Sequence, residues 1–164
     1  MRDENYKNQF SGQIGESLVV AELGKRGIIA TAFAGNVPEI DILAYKGGNT
    51  VAIQVKTWRS GNASLRADRY LIINQNGEKQ KVLGIKKNLE KNLIYVFVNL
   101  SSDGDKFYIL NQKDLAKNIL KKYKAFLKKH NYRRPRNPET KHHAVRAEDL
   151  KEHEANWSLI EDRF

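Results

Sequence analysis

Residues 93–100 read Leu-Ile-Tyr-Val-Phe-Val-Asn-Leu, an almost unbroken run of β-formers. A strand with one wet face alternates apolar and polar side chains. This run does not, so it predicts a central strand buried on both sides. Such a strand needs cover above and below, and the sequence supplies two helices for it. Ile14, Leu18 and Ala21 fall at i, i+4 and i+7 beside Val19 and Leu23, which predicts a helix over 12–26 that ends at Gly24 and Gly27. Asn111 predicts the cap of a longer helix whose stripe is Leu115, Ile119, Leu120, Tyr123, Phe126 and Leu127.

Shorter strands fill the rest. Ile28 to Phe33 is an apolar run, and Gly35 to Pro38 reads as a turn or loop. Glu39 to Tyr45 alternates, and Gly47-Gly48-Asn49 reads as a hairpin turn into Thr50 to Trp58. Tyr70 to Ile73 is a short strand, and Lys106 to Leu110 returns beside the central run across Ser101 to Asp105. Val82 to Asn92 fits a helix or a loop. Tyr132 to His143, with Pro135 and Pro138, reads as irregular, and Arg146 to Ile160 as a last short helix. The sum is an α/β domain, a mixed sheet flanked by helices. Residues 1–116 form the core, and residues 117–164 form a basic helical C-terminal extension packed on it.

Charge is concentrated in that extension. The 164-residue chain has a formal net charge of +10, and residues 117–143 carry ten Lys or Arg against one acid, Glu139. A block of this kind is the footprint of a polyanion binder, because neutralised phosphates release counterions; the plainer alternative is a solvated helix face. Arg133, Arg134, Arg136 and Lys141 form its irregular cluster and are candidate phosphate contacts. Arg59 follows Trp58 at a strand end and is a further candidate; the Trp itself reads equally as core or as a stacking surface. Arg66 and Arg69, just before a strand, are placed to reach phosphates. The chain has no cysteine, which excludes a disulfide scaffold, thiolate zinc sites and thiol catalysis. It has no run long enough for a membrane span, and Met1 to Phe10 is polar without a signal-type apolar stretch. The expectation is a soluble, intracellular, cytoplasmic protein with no membrane partner. His142-His143 point apart on either a strand or a helix, so they do not read as a metal pair.

The chemistry lies in the first hairpin. Alternation places Asp41 on one strand, and Gln54 and Lys56 on one face of the next. Folding about Gly47-Gly48 brings Asp41 opposite a residue near Gln54. Three polar side chains then gather among Ile40, Ile42, Ile53 and Val55, where burying polar groups is costly unless they are paired or used. A carboxylate and an amide carbonyl are oxygen ligands that suit a hard divalent cation, which keeps several waters. An ammonium beside them can orient water or offset charge developing on a phosphate.

Pro38-Glu39-Ile40-Asp41, then Ile53-Gln54-Val55-Lys56, preceded by Gly15-Glu16 on a helix, resembles the signature of the PD-(D/E)XK nuclease superfamily, which includes restriction endonucleases and Holliday junction resolvases. The resemblance spans the first 100 residues. It implies a restriction endonuclease-like core of helix, three strands, helix and strand. It implies Asp41 as the central metal ligand, Glu16 as the helix-borne acid, Gln54 at the second acidic position and Lys56 as the family lysine. Two departures stand out: Gln54 replaces Asp or Glu, and Pro38 lies three residues before Asp41. A neutral ligand leaves less negative charge for the cation.

The implied function is hydrolysis of DNA phosphodiester bonds with Mg²⁺ or Mn²⁺. Glu16, Asp41 and Gln54 hold the metal, and Lys56 positions the attacking water. Superfamily members often pair to cut both strands, so a homodimer is part of the expectation. Two other readings remain open: a catalytically silent nucleic-acid-binding module with a decayed site, and a basic interaction protein of an RNA-containing particle.

Overall fold

The computed structural model describes residues 2–33 and 38–164, with side chains from Phe10 onward. The turn expected at Gly35 to Pro38 lies mostly outside the described residues. Helix α1 spans Arg2–Lys25, a longer helix than the apolar spacing marks. Strands β1 (Ile29–Ala32), β2 (Ile42–Lys46) and β3 (Asn49–Trp58) follow. Next come β4 (Ala63–Arg66), a 3-10 turn (Ala67–Arg69), β5 (Leu71–Asn76) and β6 (Lys79–Ile85). Then come β7 (Ile94–Asn99), β8 (Lys106–Asn111) and α2 (Gln112–Lys129). The tail holds β9 (His142–Val145), two 3-10 turns and the short α3 (Ser158–Glu161).

The main sheet runs β1-β2-β3-β7-β8. Only β3 and β7 pair in parallel, so the sheet is mixed. The run 94–99 is buried on both faces between β3 and β8, as its composition requires. On one face Ile53, Val55, Ile94, Val96 and Val98 pack against Val19 and Leu23 of α1 and against Trp157 and Ile160 of the tail. On the other, Trp58, Tyr95 and Phe97 pack against Leu115, Ile119 and Tyr123 of α2. Trp58 is therefore core. Asn111 caps α2, its side chain accepting from the Asp114 N–H.

Two expectations are corrected. Val82 to Asn92 is neither helix nor wholly loop, because β6 continues to Ile85 as the partner of β5. No helix therefore joins β3 to the parallel β7 among the described residues. The crossover instead consists of β4, the 3-10 turn and the β5–β6 hairpin. The tail is also not helical throughout: β9 pairs antiparallel with β4, so that Ala63 faces Val145 and Arg66 faces His142. Short apolar strands pair with whatever edge is free, and the sequence holds no local signal for a partner about 80 positions away.

Candidate active site

The hairpin of β2 and β3 turns at Gly47 and Gly48, both at positive φ (57° and 91°), as a two-residue loop of this hand demands. Its register pairs Ile42 with Ile53. Continued by one residue, it brings Asp41 opposite Gln54. Asp41 itself lies just before β2, in a bend, not within the strand. Its N–H still donates to the Ile53 carbonyl at 2.9 Å. Its carboxylate accepts from the Val55 N–H at 2.7 Å. The chain has turned away at Pro38 and Glu39, the latter at φ 68°, so the carboxylate takes the place of a ladder carbonyl. One Asp41 oxygen is thereby fixed against β3.

Glu16 arrives from the opposite layer. At Gly15, α1 crosses β3 so closely that a Cβ would sit 1.8 Å from the Thr57 Oγ1. Only glycine allows that approach, and the next residue, Glu16, is carried to the sheet beside Asp41 and Lys56. Burial pushes the Glu16 carboxyl above its ordinary range; the Asp41 charge pushes the same way, and Lys56 opposes both. Burial pushes the Lys56 ammonium down, Arg69 adds to this, and Asp41 and Glu16 oppose it. Lys56 is half-buried and has no ion pair among the described residues.

Gln54 is 6% exposed. Its side chain has no hydrogen-bond partner among the described residues. An amide opposite a carboxylate is a donor pair that suits a cation retaining much of its water. The set holds two acids rather than three: among the described residues no cluster of three or more His, Cys, Asp or Glu can hold a metal. The neutral amide of Gln54 accounts for the difference.

Three neighbours carry no sequence signal of a site. The Tyr70 hydroxyl donates to the Tyr95 hydroxyl at 2.9 Å, and the buried Gln112 lies near Tyr95 at the start of α2. The pair Gln54–Tyr95 is adjacent in the β3–β7 register, so these side chains form the floor beside the amide. Tyr70 and Tyr95 sit in apolar runs that read as core, and Gln112 lies outside the apolar stripe of its helix, which hides all three. Arg69, which the sequence marks only as a phosphate contact, is exposed on the 3-10 turn between buried Ala67 and Tyr70, and its charge acts on Lys56.

The basic candidates do not converge on this patch as a set. Arg59 donates to the Ser11 hydroxyl at 3.1 Å. Arg66 forms an ion pair with Asp68 (2.6 Å), and Arg133 one with Glu78 (2.9 Å). Lys141 donates to the Gln75 side chain at 3.0 Å and to the Glu139 carbonyl at 2.8 Å. Arg134 lies over the rings of Phe126 and Tyr123, 5.0 and 5.7 Å from their centroids. Together with Arg136, it lines a recess of about 530 Å³ beside His142. His143, by contrast, turns inward against Tyr123.

No protein-family model matches the chain, and no curated protein matches it. Among solved structures it is similar to a bacterial homing endonuclease, I-Ssp6803I, with a TM-score of 0.53 over 93% of this chain and 91% of that one, at 14% identity. The two share a fold. No helix here is long and apolar enough to cross a membrane among the described residues.

Proposed function

We propose that this chain is a divalent-metal-dependent nuclease that hydrolyses DNA phosphodiester bonds, a member in kind of the PD-(D/E)XK group. The observation that carries the reading is convergence. Glu16 on the helix and Asp41 and Lys56 of the hairpin act on one another electrostatically, and the hairpin register sets Gln54 opposite Asp41, although the four span 40 positions of sequence. The shared fold with a homing endonuclease supports it.

In this reading Glu16, Asp41 and Gln54 hold Mg²⁺ or Mn²⁺, which when bound polarises a phosphoryl oxygen and acidifies water. Asp41 is held by the Val55 N–H, so one oxygen stays in place while the other faces the site. Lys56, with no acid fixed to it, orients the attacking water toward phosphorus and offsets charge on the phosphoryl oxygens as the bond to the leaving oxygen breaks. Arg69 supplies a second cation at that side. DNA is the partner, with a second copy of the chain where both strands are cut.

The test is nicking of supercoiled plasmid with Mg²⁺, Mn²⁺ or chelator, run beside Asp41→Ala and Lys56→Ala. Cutting that needs the cation and is lost in both variants supports the reading. Cutting that persists in both removes the assigned roles. The second reading, a silent DNA-binding module, is favoured by one observation: the neutral Gln54 leaves only two acids at the site. It predicts binding without cutting under every cation.

A further inference from the structure

A second concentration of unpaired charge lies apart from the long basic segment. A recess of about 490 Å³ lies where the loop between β6 and β7 meets the start of α2 and the end of the chain. Lys86, Lys87 and Lys91 come from the loop, Lys113 from the first turn of α2, and Arg163 from the tail. None of these five cations is in an ion pair among the described residues. A single acid, Glu90, shares the recess, and its carboxylate accepts from the Asn92 N–H at 3.4 Å. Ile85 and Leu89 form an apolar floor. Three distant segments thus bring like charges together with almost no compensation inside the protein, and this self-repulsion is relieved by a polyanion.

Hydrogen bonds through Tyr70 link the recess to the candidate active site. The Lys86 N–H donates to the Tyr70 carbonyl at 2.9 Å, and Tyr70 directly follows Arg69. The Tyr70 hydroxyl in turn bonds to Tyr95, the register neighbour of Gln54. The backbone of Lys86 is thus fixed to the residue that follows Arg69, whose charge acts on Lys56. The volume exceeds what one phosphate needs and suits a nucleotide-sized stretch.

We propose that this recess is a second phosphate station, which holds the DNA backbone flanking the bond cut at Asp41 and Lys56. The proposal rests on the nuclease reading for its partner and extends the footprint beyond the basic residues that stand out in the sequence. Positions 86, 87, 91, 113 and 163 position the strand and take no part in the reaction.

The experiment is anisotropy of a labelled DNA duplex bound to the full chain, with chelator present so that nothing is cut, across a salt series. Lys87→Gln, Lys91→Gln and Lys113→Gln alter exposed side chains outside both cores, and unfolding midpoints confirm that each variant folds. Each phosphate left without its cation lowers the slope of log K against log salt by about 0.9. The triple variant is expected to leave about two phosphates unneutralised and to bind roughly tenfold or more weakly at physiological salt. A wild-type slope and affinity in the triple variant overturns the proposal. Tripolyphosphate, titrated in parallel, separates a free anion from DNA: if the triple substitution abolishes its binding while the DNA slope holds, the recess is an anion site of another kind and the proposal fails. Binding is read in chelator and nicking separately with Mg²⁺ or Mn²⁺, so absence of nicking refutes the nuclease reading without touching the binding result, and the reverse also holds.

Discussion

Asp41 accepts a hydrogen bond from the backbone N–H of Val55 at 2.7 Å, across the start of the β2–β3 hairpin. The same carboxylate thus closes the ladder and serves the site. Asp41→Ala removes both roles and leaves a part-buried N–H without its acceptor, a loss of about 1–3 kcal/mol. Asp41→Asn keeps an acceptor oxygen and removes the charge. We expect Asp41→Asn to unfold close to wild type in urea and to cut DNA at least a hundredfold more slowly, while Asp41→Ala loses stability as well. Equal stability in the two variants contradicts the structural role.

Gly15→Ala places a methyl 1.8 Å from the Thr57 Oγ1, so α1 must lift from β3. Overpacking of this kind costs about 1–3 kcal/mol. Because Glu16 is the next residue, nicking activity should fall further than stability alone explains. Thr57→Ala in the same chain removes the nearest atom and should restore part of both; melting and nicking rates of the double variant check this.

Glu16 titrates above the ordinary carboxylate range because burial and Asp41 both disfavour its charge. An acid whose pKa is raised by folding takes stability away as pH climbs past that pKa. Glu16→Gln is therefore expected to raise the melting temperature slightly at pH 7 in chelator, while lowering the cutting rate when the cation is added. A lower melting temperature in Glu16→Gln counts against the charge crowding.

Burial pushes the His143 imidazole down to about 4, and Arg134, Arg146 and Lys122 add to this against Asp149. The Nε2 atom is buried without a partner, and the ring meets Tyr123 edge-on with centroids 5.9 Å apart. The unfolded chain binds the proton from about pH 6.5 downward, the folded chain only near 4. Stability should therefore fall with pH across that window, by roughly 2–3 kcal/mol. His143→Phe should flatten the dependence without loss at pH 7, as read from urea midpoints at pH 4.5 and 7.5.

The sequence shows the layers better than the connections. A run such as 93–100 states its burial in its own composition, and Asn111 states its cap, because both signals are local. The acid, amide and lysine of the hairpin are legible for the same reason: two glycines fix the turn, and alternation does the rest. The pairing of β4 with β9 is not legible, since four-residue strands carry no record of a partner 80 positions away. The loop lysines draw no notice because residues 1–116 look nearly balanced in charge; only folding sets Lys86, Lys87 and Lys91 beside Lys113 and Arg163. The clustered arginines mislead in the opposite sense: proximity in sequence says nothing about Glu78, Gln75 or the aromatic rings that engage three of the four named cations.

The β4–β9 pair also sets a schedule. A nascent chain with everything past residue 141 still inside the ribosome already has Glu16, Asp41 and Lys56 on finished elements. The strip that carries Arg69 toward them still lacks the neighbour that fixes it, because β9 has yet to emerge. Assembly of this wall thus waits for residues 142–145, long after Arg69 has left the ribosome.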